Sequence, residues 1–197
     1  MLFRSFDRVQ LNGGTFEVFN GSNVVLNDSR IGINVTLPSV LAVDTGATLN
    51  ISNEISGVGA LQKWFQGLLI LSGSNSWVGS LYTDGGSTTA NDGTTRITTS
   101  AALTGVTDIG MRNNNSGSSL LQFDGTSGSI TAPQLITISC RNNGSLCLQN
   151  LAGSNTLTGG INVQVGGSDQ WWQSDAGSTL VYAGDINYVG SRSEEHT

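Results

Sequence analysis

Residues Gln149–Ile186 read QNLAGSNTLTGGINVQVGGSDQWWQSDAGSTLVYAGDI, and their pattern decides the fold. Ile161, Val163 and Val165 alternate with small polar residues, the two-residue period of a strand with one buried face. Apolar runs at Leu157 and Leu180 sit between glycine-bearing turns, as strands in a tightly turning chain do. The same phrases recur upstream. Gly73-Ser74-Asn75-Ser76-Trp77-Val78-Gly79 parallels Gly153-Ser154-Asn155-Thr156-Leu157-Thr158-Gly159, and Asp44-Thr45-Gly46-Ala47-Thr48-Leu49 parallels Asp175-Ala176-Gly177-Ser178-Thr179-Leu180. Self-similarity in short strand-and-turn units points to a solenoid, in which each unit buries its apolar face against the next.

The amino-terminal third obeys the same grammar. Short strands are predicted at Val9–Leu11, Thr15–Phe19, Val24–Asn27, Ile31–Thr36, Val40–Asp44 and Ala47–Ser52, divided by Gly13-Gly14, Asn20-Gly21, Asn27-Asp28 and Thr45-Gly46. A β-sandwich with tight hairpins would use similar punctuation, and the internal repeats favour the solenoid. Three such strands need roughly 20 to 25 residues per coil, so about eight short rungs are expected. The fold class is all-β, a parallel β-solenoid or β-helix.

Composition narrows the function. Charged residues make up 11% of the chain, Gly numbers 27, hydrophobic residues reach 37%, and the net charge is −6. Ser, Thr and Asn fill the polar positions, a surface chemistry that suits an extracytoplasmic β-protein, while the alternating Val, Ile and Leu bury a core that a disordered chain lacks. Lys63 is the only lysine and the arginines are scattered, so no basic patch exists to neutralise phosphates and nucleic acid is excluded as a partner. The two ends stand apart. Arg192–Thr197 resembles a translated sequencing adapter and Leu2–Ser5 the opposite one, so residues 1–5 and 192–197 are expected to be added sequence. Residues 6–191 are then a single β-solenoid fragment of a longer gene.

Between Ile55 and Gly79 the chain resembles an autotransporter-associated β-strand repeat. Leu61, Lys63, Gly67, Leu69, Leu71, Ser72, Gly73, Asn75 and Gly79 fall on that unit, with Trp77 at its usual tyrosine and Ser80 at its second glycine. The segment Leu148–Ile186 is similar to the variant of large bacterial surface proteins, through Asn150, Gly153, Asn155, Gly159, Gly160, Asp175, Gly177, Leu180, Gly184 and Ile186. The resemblance implies a right-handed β-solenoid, secreted or displayed on a bacterial cell through a type V pathway as a passenger or adhesin-like stalk. Stacked Asn75 and Asn155 side chains are expected to form amide ladders within it.

Ser87–Ser118 is the thinnest stretch, with Ile97, Leu103 and Ile109 at six-residue spacing, and is read as thin rungs. The sole histidine is His196, in the tail set aside, so no Ser/His/Asp or Cys/His constellation is available. The aspartates at 44, 84, 92, 108, 124, 169, 175 and 185 could in principle pair to cleave sugars, but most sit in turn contexts where Asp caps its own backbone. No catalytic, cofactor or metal-binding residue is assigned, and the chain is read as non-enzymatic. Cys140 and Cys147 bracket a turn at Asn143-Gly144, with a disulfide and two small buried thiols as equal alternatives. Trp64, Phe65, Leu68 and Ile70 replace the small residues usual in the related repeats. With Leu69 and Leu71 facing in, Leu68 and Ile70 face out, a contact patch for a surface glycan or a neighbouring solenoid; no membrane contact is expected. Trp171 and Trp172, as neighbours on a strand, must face opposite ways, so only one is outside. Two alternatives stand beside the adhesive rod: a fragment of a carbohydrate-active β-helix enzyme and a phage-type fibre.

Overall fold

The computed structural model describes residues 8–28, 31–83, 93–112, 119–139, 145–164 and 170–189. The chain coils through three faces in turn. β1 (Arg8–Asn12), β2 (Thr15–Val18) and β3 (Asn23–Leu26) are followed by β4 (Gly32–Leu37), β5 (Ser39–Val43) and β6 (Thr48–Ile51). Then come β7 (Ile55–Gly57), β8 (Leu61–Trp64), β9 (Leu68–Leu71), β10 (Gly79–Tyr82) and β11 (Gly93–Ile97). A 3-10 turn at Ser100–Leu103 precedes β12 (Val106–Arg112) and β13 (Ser119–Asp124). The remainder is β14 (Thr131–Ala132), β15 (Leu135–Ser139), β16 (Ser145–Ala152), β17 (Ser154–Leu157), β18 (Ile161–Gln164), β19 (Gln170–Ser174), β20 (Thr179–Tyr182) and β21 (Ile186–Val189). The expected strands between Val9 and Ser52 all form.

Every strand pairs in parallel with the strand one coil away. One sheet stacks eight strands in the order β2-β5-β8-β10-β12-β15-β18-β21, a second stacks seven, and the third face carries two three-stranded sheets, β1-β4-β7 and β14-β17-β20. Between those two sheets the third face is reduced to a bridge from Val58 to Val78 and the 3-10 turn at Ser100–Leu103. The chain is thus a parallel β-solenoid. Coil length varies: Ile55 and Asn75 touch across 20 residues, Ser80 and Asp108 across 28.

Alternation places one residue in two inside, and stacking turns those residues into columns. Leu61, Leu81, Ile109, Ile136 and Ile161 lie each opposite the next, and all are buried. On the seven-stranded sheet, Ile51, Leu71, Ile97 and Phe123 form a second column. Each such side chain contributes about 1.5–3 kcal/mol by burial. Ile97, Leu103 and Ile109 are all in this core, so the thin stretch does supply rungs. Some inward positions are polar, Lys63 and Thr95 among them. Lys63 is fully buried opposite Leu41, and its ammonium donates to the Phe65 carbonyl in the turn that follows. Thr95 stands between Leu69 and Leu121, and its hydroxyl is buried without a partner.

The two repeated phrases report different things. Residues 73–79 and 153–159 both follow the seven-stranded sheet and lead onto the third face, where Trp77 and Leu157 are buried at the same corner. Residues 44–49 and 175–180 share a turn, with Ala47 N–H donating to Asp44 O and Ser178 N–H to Asp175 O, each at 2.9 Å. Gly46 and Gly177 sit in it at φ 72° and 80°, where glycine bears no penalty. The first turn enters the seven-stranded sheet, whereas the second leaves it. This repeat is local, not a coil period. The asparagine expectation also needs correction. Asn75 and Asn155 do not stack on each other. Asn75 takes Ile55 N–H at 2.9 Å and gives to Ala102 O at 2.7 Å; Asn155 takes Ile130 N–H at 2.8 Å and gives to Asn150 Oδ1 at 2.6 Å. Each ties its own corner to the backbone of a neighbouring coil, because a buried amide needs partners at both ends.

Close approach of adjacent coils fixes Gly79, where a Cβ would overlap the Gly59 carbonyl, while a Cβ at Gly14 would meet nothing within 4 Å. Gly79→Ala should therefore lower stability by about 2–4 kcal/mol, and Gly14→Ala should be neutral or stabilising by up to about 1 kcal/mol; urea unfolding of both variants checks the contrast. Thr95→Val removes the unpartnered buried hydroxyl at constant shape and should stabilise by about 1 kcal/mol or more. A Thr95→Val midpoint below that of the parent would mean the hydroxyl is satisfied.

Candidate functional site

In the first three coils the chain passes from the eight-stranded to the seven-stranded sheet through a short turn, after β2, β5 and β8. Val18 lies opposite Val43 and Ala42 opposite Trp64, so the turns after β2, β5 and β8 stand one above another. They enclose an open cleft of about 220 Å³ lined by Asn20, Asp44, Thr45, Phe65 and Gln66. Asp44 Oδ2 accepts from Asn20 N–H at 3.2 Å, and Thr45 Oγ1 donates to Gln66 Oε1 at 2.9 Å. Phe65 has φ 67°, the one non-glycine in the left-handed region among the described residues. A bulky side chain there is a genuine outlier. Trp64 meets its ring edge-on, with centroids 6.4 Å apart, and donates its Nε1–H to Gln62 Oε1 at 3.2 Å.

Leu68 and Ile70 alternate with the fully buried Leu69 and Leu71 and are half-exposed, as the outward reading requires. Leu68 lies between Thr48 and Thr94, and Ile70 between Asn50 and Arg96. Trp64 and Phe65 touch each other at the corner, while Leu68 and Ile70 begin the flat outer face of the next sheet.

That outer face carries a polar spine that sequence reasoning missed. Arg96 Nε donates to Gln122 Oε1 at 2.9 Å, Gln122 Nε2 to Gln149 Oε1 at 2.7 Å, and Gln149 Nε2 to both Asp175 oxygens at 2.8 and 3.0 Å. The chain of bonds has one direction, from a guanidinium to a carboxylate. Its two amides are almost fully buried against their neighbours. Hydrogen bonds from Gln149, first, and Gln173 hold the Asp175 carboxyl below its ordinary pKa of 3.8. Equal side-chain heights one coil apart were the available signal: Arg96, Gln122 and Gln149 share a register column, but their spacings become visible only once coil lengths are known.

Other sequence expectations fall as follows. Trp171 is 58% exposed, whereas Trp172 turns inward and stacks on Tyr182 at 5.5 Å. Burial, with the Cys147 thiol nearby, pushes the Tyr182 hydroxyl well above its ordinary range. Cys147 is buried, its Sγ 3.5 Å from the Trp171 carbonyl; Cys140 lies outside the described residues, as do both chain ends set aside above. Asp124 accepts from Thr126 N–H at 3.2 Å, and Asp108 accepts from Ser80 and Thr107 hydroxyls, so these carboxylates serve their own turns and neighbours. Asp84, Asp92 and Asp169 lie outside the described residues. Among the described residues no group of three or more His, Cys, Asp or Glu is arranged to hold a metal, and no helix is long and apolar enough to cross a membrane.

The architecture defines a class, the parallel β-solenoids, whose outer face here joins two amides between a guanidinium and a carboxylate. Within that class the chain is similar to the adhesin BmaC autotransporter of Brucella suis biovar 1 (strain 1330), with 29% identity over 185 residues. The match covers 94% of this chain and 4% of that protein, so the chain spans a small part of the curated relative's length. No family profile matches the chain, and no solved structure does.

Gln149 joins two partners, so Gln149→Ala leaves the Gln122 amide and the Asp175 carboxylate short of bonds and should cost about 1–3 kcal/mol. The spine is also acid-sensitive. A carboxyl with a depressed folded-state pKa contributes stability above its unfolded value, here about 3.8, and loses it as pH falls through the lower folded value. Carboxyl-carbon NMR titration should show Asp175 protonating below 3.8 in the parent and moving back toward 3.8 in Gln149→Ala.

Proposed function

We propose that this chain is a non-enzymatic, adhesin-like segment of a bacterial surface or secreted autotransporter passenger, a β-solenoid rod that carries contact surfaces away from the cell. The observation that carries the reading is the match to an autotransporter adhesin along 94% of the chain, on a parallel β-solenoid stack. The repeat resemblance at Ile55–Gly79 supports it independently, since Leu61, Lys63, Leu69, Leu71, Gly73 and Asn75 are all buried, the positions a coil must keep. An enzyme of this architecture would gather carboxylates and cations in a groove, whereas the described aspartates are spread over turns and the spine. The patch of Trp64, Phe65, Leu68 and Ile70 is the contact surface of the rod, because apolar side chains on an outward face favour a partner.

Surface display tests this. Fused ahead of a translocator barrel and exported, the segment should be accessible on the cell and should raise adherence to host cells or to neighbouring bacteria above a barrel-only control. Trp64→Thr with Leu68→Thr should lower adherence at equal display and leave the unfolding midpoint within about 1 kcal/mol, because both sites are outward on strands that tolerate threonine. Equal display without adherence would sink the adhesive reading, and release of reducing sugars from polysaccharide would point to the enzymatic alternative.

A further inference from the structure

We propose that the corner cleft of Asn20, Asp44, Thr45, Phe65 and Gln66 binds a neutral sugar residue of a surface glycan. The inference rests on the adhesin-like reading and names the partner of that segment.

The polar groups in the cleft are only half used. Asp44 engages Asn20 N–H through Oδ2, and its Oδ1 has no partner among the described residues. Gln66 receives the Thr45 hydroxyl at Oε1, and its two Nε2 hydrogens are left over. The Asn20 carboxamide makes no hydrogen bond to the described residues and offers both donors and an acceptor. A carboxylate oxygen beside amide donors matches a pair of adjacent sugar hydroxyls, each of which donates one bond and accepts others.

The apolar half of the site is Phe65. Holding this residue at φ 67° is unfavourable for any side chain with a Cβ, and the side chain does not offset it in the core, being half-exposed at the cleft. Glycine would sit there without strain. Strain kept at a half-exposed aromatic at the cleft, braced edge-on by Trp64, is consistent with a position held for contact. The ring offers a face for the C–H side of a pyranose. About 220 Å³ is below the 300–1,000 Å³ of drug-sized pockets and suits one ring. None of the five lining residues is cationic, and the nearby Lys63 is buried with its ammonium on the Phe65 carbonyl. A neutral sugar therefore fits and an acidic one is repelled by Asp44.

Saturation-transfer NMR on the whole chain tests this, with methyl glucoside, methyl galactoside, methyl mannoside and N-acetylglucosamine as probes and sialic acid as the anionic arm. At least one neutral sugar should bind saturably at about 1–10 mM, the affinity of a few kcal/mol open to a single ring. Phe65→Gly and Asp44→Asn should each weaken it about tenfold or more. Both variants should unfold at or near the parent midpoint, since glycine accepts the backbone angle and asparagine still accepts from Asn20 N–H. Failure of all four neutral sugars to bind at 100 mM, binding of sialic acid alone, or unchanged affinity in Phe65→Gly would overturn the site. Cell adherence that survives both substitutions would also overturn it, while leaving the adhesin-like reading standing.

Discussion

Each strand of this chain is held by backbone hydrogen bonds to a strand one coil earlier and one coil later, and nearly everything else follows from that pairing. It sets which residues are neighbours: not those next in sequence, nor those across a hairpin, but those 20 to 28 positions away. Inward residues become columns of their own kind, so Leu61 packs on Leu81 and Ile136 on Ile161. Outward residues become rows of like chemistry, from which the Arg96–Gln122–Gln149–Asp175 spine arises. In a parallel stack an outward residue can pair with the residues above and below it, and glutamine, donor and acceptor on one end, is suited to that repetition.

How much of this was legible in the sequence depended on whether a feature is local. The strands from Val9 to Ser52 could be read because alternation and turn glycines are local signals. The burial of Leu69 and Leu71 with Leu68 and Ile70 outside, and the outward Trp171 with inward Trp172, follow from the same two-residue period. Features that join coils could not be read. The amide ladders expected at Asn75 and Asn155 do not form: each amide is taken up at its own corner, by backbone groups and, for Asn155, also by Asn150 Oδ1. The parallel between Asp44–Leu49 and Asp175–Leu180 is real as a turn and misleading as a period, since one local conformation serves two corners.

The candidate site was half visible for the same reason. Trp64 and Phe65 stood out as large residues where small ones suit the turn, but their partners Asn20, Asp44 and Gln66 come from three successive coils. Variable coil length hides such a set from any fixed-period reading. Lys63 illustrates the opposite case: its position on β8, two residues after the inward Leu61, places the only lysine inside. Its ammonium supplies the turn with a donor that the backbone there cannot provide.

Because the ladders join one coil to the next, their hydrogen bonds point along the stack while the covalent chain runs around it. A pull along the stack is therefore resisted by non-covalent bonds, loaded several at a time at each boundary between coils. Failure under load would proceed as peeling, one coil at a time, each released loop of chain lengthening the tether and dissipating work. The glutamine spine lies parallel to that pull across the boundaries from β11 to β19, so it adds side-chain bonds to the ladders there. Such a rod would behave as a graded shock absorber, yielding first where its exterior lacks side-chain cross-ties.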